Sequence, residues 1–253
     1  MGKVDAFTAL HVPGDPLVLF NIWDAGSAKA VADAGAKAIA TGSFGVAEAN
    51  GFKDGETLPL DFVIANLEHI VSVTDLPVTI DMEAGYGATP DEVSVSVKRA
   101  LDAGAAGINM EDRLPGEKAL VAVPEAARRI AAAAATGIHV NARTDVYLGI
   151  APGDYSPLLI DQVVERGMAF ADAGAGSLFV PFLGDHPTIA AICERSKLPV
   201  NILWGPGRGT IAELASLGVA RISYGHGPWA AAMRWLTDQA AAVLAGRNPP
   251  YAD

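Results

Sequence analysis

One cysteine stands in 253 residues, Cys193, so no intrachain disulfide framework is available and the chain suits a reducing cytoplasm. Basic residues are scarce too: 18 Lys and Arg against 29 Asp and Glu leave a net charge of −11. That balance argues against nucleic acid as a partner, because phosphate binding needs a basic face. An anionic membrane surface is disfavoured on the same ground. No uninterrupted apolar run approaches the roughly 18 residues of a membrane span. The opening MGKVDAFTALHVPGDP holds no apolar core of signal-peptide length. The expectation is a soluble cytoplasmic protein. Aromatics are sparse, and the 51% hydrophobic content lies mainly in Ala, Val and Ile beside 27 Gly, a composition suited to helices packed tightly on strands. A small anionic substrate stays compatible with this charge wherever a metal ion or an arginine concentrates positive charge.

What the chain does contain is a series of apolar, β-prone runs: 17–25, 38–43, 78–83, 107–112, 139–144, 177–182, 200–205 and 221–226. Near-continuous apolar runs of this length suit strands buried on both faces. Ala-rich amphipathic segments lie between them, at 27–36, 59–74, 90–104, 124–136, 158–174, 186–197, 210–217 and 228–246. ADAGA (32–36), LDAGA (101–105), ADAGA (171–175) and ASLGV (215–219) each place a glycine where a helix should end. TPDE (89–92) and HPT (186–188) read as helix starts. Eight βα units without a composition break predict one domain over 1–253, a (β/α)8 TIM-type barrel, with an open doubly wound sheet as the other arrangement.

In such a barrel the strand C-termini gather at one end. Three runs finish there in charge: VTIDMEAGYG (78–87), GINMED (107–112) and HVNARTD (139–145). Asp81 and Glu83, two apart, are expected on one strand face. With Glu111 from the next strand they make an oxygen-only donor set that suits Mg²⁺ (or Mn²⁺) better than zinc. The alternative is an interior carboxylate network closed by Arg143. Arg143 itself suits a substrate carboxylate through two parallel hydrogen bonds, or a salt bridge to Glu111 or Asp145. Gly42, Ser43 and Phe44, after the second strand, offer amides and a hydroxyl for an anion. Trp23 and Asn201 fall at the same end and are assigned to the substrate. Asp54, in a Gly-flanked stretch, is read as a base or nucleophile, or as a cap for the following helix. Cys193 reads as core filler and His69 as a packed or solvated helix residue.

The order of a glycine loop after strand two, DMEAGYG, NMED and NARTD resembles the isocitrate lyase/phosphoenolpyruvate mutase superfamily over about residues 15–230. The resemblance implies an (α/β)8 barrel whose eighth helix is often exchanged between subunits, a Mg²⁺ ion and a 2-oxo acid substrate. By position it implies Asp81 as direct metal ligand, Glu83 and Glu111 as holders of the metal through water, and Arg143 and the Ser43 loop as the substrate's carboxylate sites. Asp54 matches the mobile-loop aspartate of mutases and hydrolases. Departures are visible: Glu83 stands where aspartate is usual. The segment EDRLPGEKALVAV (111–123) has neither the lyase K-K-C-G-H motif nor the K-T-N-S gating signature, and Lys118 replaces that lysine only loosely.

The function these residues imply is Mg-dependent cleavage of a C–C bond in a small 2-oxo acid, oxaloacetate-like or 2-methylisocitrate-like, through a metal-stabilised pyruvate enolate. Asp54, Glu111 and Arg143 would be catalytic. Phosphonopyruvate hydrolase or phosphoenolpyruvate mutase-type P–C chemistry is the second expectation, and a non-catalytic 2-oxo acid binding paralogue the third. The Ala-rich segment 227–246, with Trp229, Met233 and Trp235, reads first as a core-facing helix; its apolar character also fits packing on a neighbouring subunit, as the resemblance implies, so a homo-oligomer, dimer or tetramer, is expected.

Overall fold

The computed structural model describes residues 2–249 and 251. Eight strands run in parallel: β1 (Leu17–Leu19), β2 (Ile39–Ala40), β3 (Val78–Asp81), β4 (Gly107–Glu111), β5 (His139–Arg143), β6 (Ser177–Val180), β7 (Val200–Leu203) and β8 (Arg221–Ser223). Their order, β1-β8-β7-β6-β5-β4-β3-β2, leaves only the seam between β1 and β2 without a ladder. One parallel bridge, Ile22 to Thr41, and a 2.8 Å bond from Ile22 N–H to the Ala40 carbonyl close that seam. The result is the expected (β/α)8 barrel.

Each strand is followed by an outer helix: α2 (Ala25–Asp33), α4 (Leu60–Ser72), α5 (Pro90–Asp102), α6 (Val123–Ala134), α7 (Pro157–Asp172), α8 (His186–Arg195), α9 (Ile211–Ser216) and α10 (Gly227–Leu244). Local chemistry accounts for their ends. Thr89 and Glu92 cap α5 reciprocally with Pro90 in its first turn, and Asp24 caps α2. The repeated glycines Gly35, Gly104, Gly174 and Gly218 all adopt positive φ just beyond a helix end, the left-handed turn that releases the chain toward the next strand. Among the described residues no helix is long and apolar enough to cross a membrane.

Two further helices lie where the sequence pattern indicates none. α3 (Ser43–Ala49) begins at the glycine loop itself. α1 (Lys3–Ala9) packs beneath the barrel and drives Phe7, fully buried, against β4 at Gly107. A Cβ at Gly107 would stand 2.6 Å from the Phe7 ring, so glycine there makes room for the plug.

The barrel interior is polar on one side. His139 bonds Thr8 Oγ1 and Ser177 Oγ, each at 3.0 Å, Ser177 donates to Asn141, and Asn141 donates to Asn109. Arg221, fully buried, donates to Asn109 Oδ1 at 3.0 Å. His11 stacks on His139 at 4.4 Å, and its Nδ1 donates to the Phe7 carbonyl at 3.0 Å. Burial first, then the Arg221 charge, lowers His11 to about 3; burial, then His11 and Arg221, lowers His139 to about 2.

Both rings are therefore neutral when folded, whereas the unfolded chain protonates them below about 6.5. Their contribution to stability is full above that pH and is lost as pH falls toward 3. Each histidine adds at most about 1.4 kcal/mol per pH unit to the slope. Urea unfolding between pH 6 and pH 4 should show His11→Gln shallower than wild type by up to that amount.

Candidate active site

At the C-terminal mouth of the barrel lies a cavity of about 150 Å³. Ser43 enters it from the start of α3, Asp81 from the end of β3, Asn109 from β4, Arg143 from the end of β5, Phe182 from the segment after β6, and Asp54 from the α3–α4 loop. A broader groove of about 830 Å³ outside the barrel wall, along α5, contains none of these strand-end charges.

Arg143 is held rigidly. Its Nε and Nη2 donate to the two oxygens of Asp145 at 2.6 and 3.0 Å, and Nη1 lies 2.7 Å from Glu111 Oε2. Asp145 is in turn fixed by Arg113 Nε at 3.3 Å, and its N–H donates to Asp112, which is paired with Arg166 at 3.0 Å. Burial opposes the Arg143 charge, yet Glu111 and Asp145 hold its pKa above the ordinary arginine value. The guanidinium also lies 5.8 Å from the Phe182 ring centroid. Salt-bridge and substrate readings of Arg143 are thus compatible: carboxylates orient it, and it still lines the cavity.

The acids are less well matched. Asp81 has no ion-pair partner among the described residues; its Oδ1 accepts from the Glu83 N–H at 3.1 Å. Burial raises its pKa, Arg143 works against the rise, and Asp54 adds to it. Burial, then Asp81 and Asp54, push Glu83 up to about 7. Burial pushes Glu111 up to about 8, opposed by Arg143 and reinforced by Asp145, Asp81 and Glu83.

The expected convergence of three carboxylates needs correction. β3 stops at Asp81, and Glu83 sits beyond it at φ +48°, so the two do not share a strand face. A tight turn, with Gly85 N–H donating to the Met82 carbonyl at 2.6 Å, ends the strand's alternation early. Glu83 Oε2 accepts from Gly55 and Glu56 N–H at 2.7 and 2.8 Å, away from the cavity. Glu111 faces Arg143. Among the described residues no three His, Cys, Asp or Glu side chains converge closely enough to wrap a metal ion.

Two substrate assignments also fall elsewhere. Asn201, the second residue of β7, is fully buried one layer down, donating to Ser223 Oγ at 3.2 Å. Trp23 turns outward once Ile22 has closed the barrel, and lines a surface cavity beside α2. Gly42, Ser43, Phe44, Asp54, Asp81 and Arg143 do meet at the mouth. His226, whose strand end points to the same mouth, lines the cavity as well, and Asn109 and Phe182 join them without a place among the expected site residues. Asn109 carried a signal, a polar residue at the same parity as Glu111; Phe182, at φ +67°, carried none.

A family model described as phosphoenolpyruvate phosphomutase matches residues 7–244. A crystal structure of a provisionally named phosphonomutase from Burkholderia cenocepacia is 47% identical, with a TM-score of 0.91 over 96% of this chain and 98% of that one. An uncharacterised Mycobacterium tuberculosis protein is 36% identical over 98% of this chain and 94% of its own. The 2-methylisocitrate lyase of Escherichia coli is 32% identical over 77% of this chain and 67% of its own.

Arg143→Met strips Glu111 of its cation and leaves Asp145 only the longer contact to Arg113 at 3.3 Å, and should lower stability by about 3–5 kcal/mol in urea unfolding. Adding Glu111→Gln should recover part of that loss, because one of the stranded charges is then removed.

Proposed function

Because the chain belongs to the phosphoenolpyruvate mutase/isocitrate lyase superfamily, we propose that it is a divalent-metal-dependent enzyme cleaving a C–C bond in a small 2-oxo acid. The observation that carries the proposal is Asp81: a carboxylate on the floor of a cavity it shares with Asp54 and Arg143, with no ion-pair partner among the described residues. Oxygen-only donors fit Mg²⁺ or Mn²⁺, and magnesium commonly needs only one or two protein carboxylates, keeping water for the rest. Asp81 would be the direct ligand and Glu111 the second holder. Bound there, the ion supplies positive charge where negative charge develops during cleavage.

The chain's own residues then divide the work. Arg143, pre-oriented by Asp145, holds a carboxylate of the substrate through N–H groups not committed to Asp145. Ser43 and the neighbouring amides at the start of α3 hold an anionic oxygen. Phe182 and Phe44 restrict water at the mouth. When the C3–C4 bond of an oxaloacetate-like acid breaks, C4 leaves as CO2, the bonding electron pair stays on C3 and spreads onto the 2-oxo oxygen, and a proton must then reach C3. Asp54 is the exposed carboxyl over the cavity placed to manage that proton, or, if the route is hydrolytic, to orient a water that attacks C2 so that C2–C3 breaks instead.

P–C chemistry is the second reading, favoured by the 47% identity to a protein named for phosphonate rearrangement. A turnover screen separates the two. Oxaloacetate-like acids should be consumed with Mg²⁺ or Mn²⁺ and spared in EDTA, and Asp81→Asn should lower kcat/KM by about 10²–10³. Turnover of phosphonopyruvate alone would transfer the site to the second reading, and tight binding without turnover would leave a binding protein.

We further propose a homo-oligomer built on α10. Of its 18 residues only Pro228 is buried, while Trp235 and Leu236 are about half exposed. Sedimentation equilibrium should give a dimer or tetramer, and a monomer would contradict this.

A further inference from the structure

The α3–α4 loop carries Asp54 on the mouth and Gly55 and Glu56 just after it. Gly55 (φ +105°) and Glu56 (φ +56°) are both left-handed, as are Glu83 (φ +48°) and Tyr86 (φ +51°) on the opposing turn after β3. A non-glycine residue persists in that region only when surrounding contacts over-determine it. Those contacts run in both directions. Glu83 Oε2 alone receives the Gly55 and Glu56 N–H groups at 2.7 and 2.8 Å, and Glu56 Oε1 receives the Tyr86 N–H at 2.9 Å. The Tyr86 hydroxyl donates to Glu83 Oε1 at 3.2 Å.

One side of this clasp is anchored by contacts to the helices behind it. Arg129, buried, donates to the carbonyls of Ala84, Gly87 and Ala88 at 2.8, 2.8 and 3.1 Å. Ser96 of α5 donates to the Tyr86 carbonyl at 2.7 Å. Gly87 packs so closely on α5 that a Cβ would lie 2.5 Å from Val93 N. The other side is the loop itself, with Lys53 and Asp54 exposed. The Glu83 side chain spans the gap from this anchored turn to the loop amides, and an aspartate would be one methylene shorter.

We propose that Glu83 is a positioning residue for Asp54: with Glu56 and Tyr86 it clasps the loop against the anchored turn, setting where Asp54 stands over the mouth. Both oxygens of Glu83 are engaged in that task, so it is not a metal ligand in this state. The role assigned to Asp54 rests on the function proposed above; the clasp does not.

Two variants separate positioning from metal binding. Glu83→Gln keeps the length and a single carbonyl oxygen able to receive both amides, but removes the charge. Glu83→Asp keeps the charge and loses the reach. Amide hydrogen exchange at Gly55 and Glu56 reads the clasp without turnover, and calorimetry with Mg²⁺ reads the ion. In Glu83→Asp those amides should exchange about tenfold or more faster, as expected when a pair of buried hydrogen bonds is lost, with Mg²⁺ affinity near that of wild type. Glu83→Gln should keep their protection. Glu56→Ala, changed on the loop side, should speed the same amides and serves if Glu83→Asp does not fold. The proposal is overturned if exchange is unchanged in Glu83→Asp or Glu56→Ala, or if Glu83→Gln weakens Mg²⁺ binding tenfold while Glu83→Asp does not. Failure of every 2-oxo acid to react would overturn the functional reading and leave the exchange result standing.

Discussion

Negative charge at the barrel mouth exceeds the positive charge that can reach it. Arg143 is the cation lining the cavity, and Asp145 already holds it from two sides while Glu111 meets it from a third. Asp81 and Asp54 remain at the mouth with Glu83 just beyond it; Asp54 raises the energy of ionising Asp81, and both raise that of Glu83. Buried like charges persist only if protonated, paired or joined to a metal. An oxygen-only cluster opening on a small cavity is the kind of place where a hard cation relieves that repulsion. The same cation would let an otherwise acidic protein accept an acidic substrate. Charge balance thus links the strand ends, the arginine clamp and the proposed chemistry.

The rest of the barrel keeps this imbalance in place. Parallel strands deliver their C-terminal ends to one face, and the short ladders stop where side chains turn toward the mouth. Below, Asn109 belongs to both layers: it lines the cavity and accepts from Arg221 and Asn141 in the interior. A buried arginine there, with no ion-pair partner among the described residues, places positive charge beneath Asp81. α1 seals the opposite end through Phe7, so the polar interior is shut off from solvent on that side.

The architecture was legible because parallel-strand burial leaves long apolar runs. Strands begin at the expected residue everywhere except β2, which starts one residue later, at Ile39. Glycines closing the Ala-rich helices marked the helix ends for the same reason, since left-handed turns select them. Strand ends were harder. Alternation extended past Asp81 predicts that Glu83 shares its face, and nothing in DMEAGYG announces the turn that breaks the period. Asn201 was placed at the mouth because its strand points there, but it is only the second residue of β7. α1 was missed because its single deep anchor, Phe7, has no periodic partners within seven residues. α3 hid inside a glycine-containing loop. Long-range clasps such as Glu83 with Gly55 join residues 28 apart and leave no local pattern.

Cation uptake at the mouth is best tested by titrating the protein with Mg²⁺ in a calorimeter near pH 7.5, in two buffers of different ionisation enthalpy. With Glu111 raised to about 8, its carboxyl is largely protonated at that pH, and an arriving cation that it helps to hold should expel the proton. The account predicts about one ion bound per chain, a buffer-dependent heat that reports proton release, and loss of both in Asp81→Asn. Absence of any binding heat, or binding that Asp81→Asn leaves unchanged, would contradict it.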